Sequence, residues 1–192
     1  MNNFFDLYFY KSTNNTNDKL KEIRESNSNT NIALLSIIQN NGKGRSGKVW
    51  LSNKGDLTCS FLINQSLPFK NLGRINMIII NVLLNFFKNF KTLSNIKYKW
   101  PNDIQINGKK ISGILIETFS NEKNIESFII GLGINLVSSP KIKLNKTISL
   151  AKLNINIDPV DVFFLLKKEV SLFFKKFEYL DFLSLSRNLN NN

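Results

Sequence analysis

Apolar positions along the chain follow two rhythms. Between residues 75 and 90 they are nearly continuous, broken by Asn76, Asn81, Asn85 and Lys88 at roughly helical intervals, which predicts an amphipathic core helix and not a membrane span. A helix over 15–25 carries Leu20 and Ile23, and Ser12, Thr13 and Asn14 before it supply groups that cap a first turn. A third opens at Asp158 and Pro159, with Val162, Leu165, Leu166, Val170 and Phe173 on its apolar face. Shorter runs predict strands over 32–38, 57–63, 96–100 and 125–135, the third stopped by Pro101. Asn107 and Gly108, between 104–106 and 111–118, both accept positive φ and predict a tight hairpin.

Strands outnumber helices and are joined partly by hairpins, so the expected fold class is α+β, a mixed β-sheet flanked by helices. A length of 192 residues and a hydrophobic content of 42% suit one domain with a sizeable core. That domain is placed over 1–182, with a tail over 183–192 expected to be disordered. Asn, Lys and Ile are enriched throughout, and no internal repeat interrupts the pattern.

Composition narrows the chemistry. With no histidine, triads, histidine bases and histidine metal sites are excluded, leaving Lys, Arg, carboxylates and backbone amides. The one cysteine, Cys59, cannot form an internal disulfide and reads as a small buried residue of a reducing compartment. The first residues, MNNFFDLYFYKSTNN, lack the basic start, apolar run and cleavage site of a secretory signal, so a cytoplasmic location away from membranes is expected. The net charge of +12 favours anionic ligands or acidic partners without choosing among them.

Residues Gly42-Lys43-Gly44-Arg45-Ser46-Gly47-Lys48-Val49-Trp50 contain the spacing G-x-G-x-x-G after a predicted strand. No helix opens at the third glycine, because Ser52-Asn53-Lys54-Gly55-Asp56 is a turn. Val49 also stands where a phosphate-binding loop needs a hydroxyl. What the loop offers is backbone N–H groups and the charges of Lys43, Arg45 and Lys48 for an anion, with Trp50 able to cover a flat ligand. Further on, Lys99-Trp100-Pro101-Asn102-Asp103 puts an amide and a carboxylate beyond a strand-stopping proline. Lys110 and Gly113 follow the hairpin, and Gly131-Leu132-Gly133-Ile134-Asn135 places small residues at a strand end.

In order and spacing, GKGRSGKVW, KWPNDIQINGKKISGILIE and GLGIN resemble the catalytic domain of the biotin protein ligases, also called biotin–[acetyl-CoA-carboxylase] ligases. Ser12-Thr13-Asn14, Gln39 and Ser149-Leu150 extend the likeness over most of the chain. The resemblance implies the class II synthetase-like fold of biotin and lipoate ligases. It also implies a two-step reaction using ATP and Mg²⁺: biotin is activated as biotinyl-AMP, then passed to a lysine of a biotin carboxyl carrier protein. Both steps gather negative charge, which fixed cations and N–H groups stabilise without histidine.

By the same resemblance, Ser12, Thr13, Asn14, Gln39, Gly42, Lys43, Gly113 and Gly131 would bind biotin. Lys43, Gly44, Arg45, Ser46, Gly47, Lys48, Trp50, Asn102 and Asn135 would bind ATP, with Asn135 reading the adenine edge. Lys110, Arg45 and Asp103 would be catalytic, and Asp103 would also meet the Mg²⁺.

Two departures stand out. The family loop usually reads GRGRxGRxW, and here Lys43 and Lys48 replace two arginines, keeping charge but losing the planar fork. The family also usually carries a small C-terminal β-barrel, and some members an N-terminal helix-turn-helix that represses biotin genes. Neither is found in this sequence, so no nucleic-acid partner is expected, and an exposed strand in the barrel's place could pair two copies. A lipoate protein ligase shares the fold, but its glycine motif with arginine and histidine is absent. A basic nucleic-acid-binding module would fit the charge, yet most phenylalanines fall on helical apolar faces. A degenerate ligase that binds without catalysis is disfavoured by the presence of Lys110 and Asp103.

Overall fold

The computed structural model describes residues 4–26, 29–140, 146–177 and residue 185. In chain order the strands are β1 (Asp6–Tyr10), β2 (Ile32–Ser36), β3 (Gly42–Lys43), β4 (Val49–Trp50), β5 (Leu57–Ile63), β6 (Leu67–Pro68), β7 (Ile96–Lys99), β8 (Asp103–Ile106), β9 (Lys109–Ser120) and β10 (Asn124–Ile134). The α-helices are α1 (Thr16–Ser26), α2 (Leu72–Lys88) and α3 (Pro159–Lys175). Among these residues one sheet runs β1-β2-β5-β10-β9-β8-β7, with β6 against β10, while β3 and β4 form a separate ribbon. Only β1 and β2 pair in parallel, so the sheet is mixed, as expected.

Alternation along the strands divides the sheet into two faces. On one, Ala33, Leu35, Phe61, Ile63, Phe128 and Ile130 join α2 and α3 in the main core. On the other, Ile32, Leu34, Leu62 and Ile129 receive Leu20 of α1. The register sets this second face in rows. Ile32, Leu62, Ile129 and Glu117 stand side by side, then Leu34, Ser60, Gly131 and Leu115, then Ser36, Thr58, Gly133, Gly113 and Asp103. Side-chain volume falls from row to row, so α1 has apolar cover at one end of the sheet and a hollow at the other.

Local chemistry explains the helix starts. Asn15 Oδ1 accepts the Asp18 N–H at 3.0 Å, so α1 is capped at Asn15 and not by Ser12, Thr13 or Asn14. Asp158 Oδ1 accepts the Val160 N–H at 2.7 Å and Pro159 opens α3. The predicted hairpin forms with φ of 51° at Asn107 and 72° at Gly108.

Several expectations are corrected. β1 was not predicted, although Leu7 and Phe9 alternate with Tyr8 and Tyr10. The strand predicted over 32–38 ends at Ser36. On α3, Phe163 and Phe174 are buried with Val162, Leu166 and Val170, whereas Leu165 is half exposed, because the stripe follows the 162–166–170–174 row. Asn81 faces inward on α2, donating to the carbonyls of Met77 and Leu185 at 2.8 and 3.2 Å. Cys59 is buried, and that burial pushes its thiol well above the ordinary range. No helix among the described residues is long and apolar enough to cross a membrane. Apart from Leu185, the tail over 183–192 lies outside the described residues, as does much of the Lys-rich connection, 141–145.

Leu20 is the single side chain of α1 that fills the second core and is fully buried. Leu20→Ala should lower unfolding stability by about 2–5 kcal/mol, read as a reduced midpoint in urea. An unchanged midpoint would mean that α1 contributes no packing.

Candidate active site

A cavity of about 730 Å³ occupies the hollow over the small-residue rows. Its floor is Gly113, Gly131 and Gly133, one end is Asn15, Thr16, Asn17 and Gln39, and the loop before Trp50 lies across it. Asn102, Asp103 and Lys110 stand at the other end.

Lys110 reaches this face through an irregularity. Gly113 belongs to the cavity face, and Ser112 and Ile114 point the opposite way. A regular strand would therefore send Lys110 with them, away from the cavity. Between Ile104 and Gln105 the pairing with β9 shifts, from Ile104 opposite Ser112 to Gln105 opposite Lys110, leaving Ile111 as an extra residue. This bulge turns Lys110 toward the side of Asp103, and Lys110 Nζ lies 2.7 Å from Asp103 Oδ1. Both side chains are 18% exposed, so removing either leaves a largely desolvated charge alone.

Asp103 is held in turn by the 100–102 turn. Tyr98 Oη and Asn76 Nδ2 both donate to the Pro101 carbonyl, at 2.6 and 3.0 Å. Burial pushes the Tyr98 phenol above its ordinary range. Asn102 exchanges bonds with Ile114 on β9, its Nδ2 donating at 3.0 Å and its carbonyl accepting at 2.9 Å.

Trp50 lies on the glycine floor. A Cβ at Gly133 would fall inside the indole, and one at Gly113 would come within 2.8 Å of Cζ3. The Lys110 ammonium sits 5.2 Å from the ring centre, and the buried indole Nε1 has no partner among the described residues. Between β3 and β4 a turn at Arg45–Gly47 carries φ of 53° at Ser46 and 73° at Gly47, so the loop projects Arg45 and Lys48 into solvent.

At the far end the side chains form a hydrogen-bonded set. Gln39 Oε1 accepts from Thr16 N and Oγ1 at 2.9 and 3.2 Å, and Ser60 Oγ lies 2.6 Å from Asn17 Oδ1 and 2.7 Å from Thr16 Oγ1. Asn17 Nδ2 donates to Glu117 at 2.8 Å, and Glu117 pairs with Lys21 at 2.7 Å. Asp18 joins Lys21 at 3.2 Å to Lys43 of the loop at 2.5 Å. Burial raises the Asp18 pKa, but hydrogen bonds from Lys43 and Lys21 outweigh it and hold the carboxyl below its ordinary range.

The family model of the Biotin/lipoate A/B protein ligase family matches residues 7–135 of this chain. The chain belongs to that family. Among curated relatives of this ligase-family chain, "Biotin--protein ligase 2" of Arabidopsis thaliana is 35% identical over 153 residues, covering 75% of the chain and 43% of that protein. "Bifunctional ligase/repressor BirA" of Bacillus subtilis is 28% identical over 135 residues, covering 70% and 41%. The chain thus spans about two fifths of these relatives. The biotin protein ligase from Aquifex aeolicus, solved in complex with biotin and ATP, superposes with a TM-score of 0.79 at 28% identity, over 96% of this chain and 76% of that one.

Within this ligase-family fold the sequence-predicted residues are distributed unevenly. Gln39, Lys43, Gly44, Arg45, Ser46, Lys48, Trp50, Asn102, Asp103, Lys110, Gly113 and Gly131 line the cavity. Gly42 and Gly47 border a neighbouring hollow of about 550 Å³ on the same loop. Ser12 and Asn14 are exposed, and Thr13 is buried with its hydroxyl on Ser36 at 3.0 Å; none of the three lines the cavity. Asn135 is buried outside the lining. Thr16, Asn17, Ser60, Gly133 and Glu117 were missed. The GLGIN repeat of small residues at alternate positions was the available signal for Gly133.

Gly133→Ala should leave the sheet folded but displace Trp50, shifting its emission. Unaltered fluorescence would show that the indole does not need the glycine floor.

Proposed function

We propose that this chain is an ATP-dependent biotin protein ligase that forms biotinyl-AMP and transfers biotin to a lysine of a biotin carboxyl carrier protein. One observation carries the reading: the cavity joins a hydrogen-bonding end, at Thr16, Asn17 and Gln39 with Ser60 buried behind them, to a cationic end at Lys110. A ureido ring offers two N–H donors and a carbonyl to match the first, and its carboxylate arm reaches toward the second. A dithiolane ring has neither donor nor carbonyl. A site built of such groups can reject an acid lacking them by as much as about 10⁴-fold. The names of the relatives and of the superposed ligase agree with this choice.

In the first step a biotin carboxylate oxygen bonds to the α-phosphorus of ATP as the bond to the β-phosphate oxygen breaks and pyrophosphate leaves. In this reading Lys110 holds the carboxylate and α-phosphate together, and Arg45 and Lys48 meet the phosphates. By the same reading the indole of Trp50, seated on Gly113 and Gly133, packs beside the bound adenylate. In the second step the neutral amine of the acceptor lysine bonds to the acyl carbon, AMP leaves with the bonding pair, and the amine proton is lost. In this reading Asp103 orients that amine.

No group of three or more Cys, Asp or Glu suited to a metal occurs among the described residues. Mg²⁺ therefore fits as an ion carried mainly by the nucleotide phosphates, with Asp103 and the Asn102 amide oxygen as protein donors. When bound it neutralises phosphate charge.

Biotin-dependent exchange of pyrophosphate into ATP by the purified protein tests the proposal, with lipoate as the control acid. Exchange with biotin alone is expected. Exchange with lipoate instead would assign the other branch of the family, and exchange with neither would refute both. In the same assay Lys110→Ala should slow adenylation about a hundredfold or more. A loss below about threefold would remove Lys110 from the mechanism.

A further inference from the structure

Trp100 is 78% exposed, more than any other large apolar side chain among the described residues. The turn that carries it is nevertheless firmly held. The Pro101 carbonyl accepts from Tyr98 Oη and Asn76 Nδ2 at 2.6 and 3.0 Å, and Asn102 bonds to Ile114 through both its side chain and its carbonyl. Leaving so large an apolar surface in water forgoes the stabilisation of burial, and a fixed turn has little freedom left to lose when a partner covers it.

The turn stands at the mouth of the cavity. Pro101, Asn102 and Asp103 line it, and on the loop side Val49 and Leu51, 64% and 50% exposed, line it too. Beside Trp100, β7 presents Lys97 and Lys99 on exposed positions, and Arg45 and Lys48 of the loop are also exposed. An exposed aromatic with a rim of one charge is suited to a protein partner: the ring is an anchor to bury, and the rim steers and selects. A second copy of this chain would bring lysine against lysine. A protein face with carboxylates around an apolar centre matches both features.

We propose that Trp100 is the anchor of a docking surface for the protein that carries the acceptor lysine, with Lys97 matching acidic groups on that protein. The proposal rests on the ligase reading, in which the acceptor amine must reach Asp103, three residues beyond Trp100. A folded domain that delivers a lysine there covers the surface around the cavity mouth, where Trp100 stands. Small nucleophiles need no such surface, so docking and chemistry can be measured apart.

The probe is a purified, unmodified biotin carboxyl carrier domain. Trp100→Ala should raise KM for this domain about tenfold or more, and Lys97→Glu about threefold or more. In both variants, pyrophosphate exchange and the trapping of biotinyl-AMP by hydroxylamine should stay within about twofold of the parent protein. Trp100→Phe, which keeps a ring, should hold KM within about threefold. Binding of the carrier domain without biotin or ATP should weaken about tenfold or more in Trp100→Ala. That weakening in a protein whose parent form exchanges no pyrophosphate would retire the ligase reading and leave the docking surface standing. An unchanged KM for the carrier domain, or an equal loss in pyrophosphate exchange, would overturn the proposal. So would a single-stranded oligonucleotide that binds through Trp100 while the carrier domain binds without it.

Discussion

A regular strand cannot present Lys110 and Gly113 to the same side, because residues three apart point opposite ways. The site needs both: the glycine opposite Gly133 to admit the indole, and the lysine beside Asp103. The bulge at Ile111 resolves the conflict by spending one residue. The strip at 146–148 takes up the Lys110 peptide beside the bulge, Lys110 N donating to Lys146 and Ile148 N to Lys110. Had the strand stayed regular, the ammonium would enter an apolar core at a cost far above what pairing could repay.

The sequence was informative where a residue type has one structural use. Asn107-Gly108, Asp158-Pro159 and the apolar run at 75–90 each produced the element they predict. Motif spacing likewise led to Lys110, Asp103, Trp50 and the basic loop, and the cavity gathers all of them. What stayed hidden depends on register. Thr16, Asn17 and Ser60 are ordinary polar residues in sequence and become one hydrogen-bonded set only when α1 packs across β5. Strand alternation assigns Lys110 to the wrong face, since nothing in KKISG marks Ile111 as the extra residue. Asn81 repeats the lesson on α2: a polar residue at helical spacing reads as solvent-facing until a carbonyl from another segment meets it.

Charge at the far end forms a chain, from Glu117 through Lys21 and Asp18 to Lys43. Each side chain in it is between 30% and 54% exposed, so each link adds little stability and weakens with salt. Asp18 also gives Lys43 an anion while no substrate supplies one. The lysine at this position, replacing an arginine, makes that a point attraction without a fixed angle.

The two outer strands of the sheet meet water differently. β7 carries Lys97 and Lys99 on its exposed positions, and a second copy approaching that edge would set lysine against lysine. β1 has only β2 as a strand neighbour among the described residues, and its Leu7 and Phe9 stand on the face toward α3, where the Phe9 ring meets Phe163 and Phe164 at 5.7 and 6.1 Å between centroids and stays 52% exposed. Colloidal behaviour is therefore lopsided. At high ionic strength, where the overall positive charge no longer keeps molecules apart, self-association would begin at the first strand, which has no lysine pair to set against a second copy.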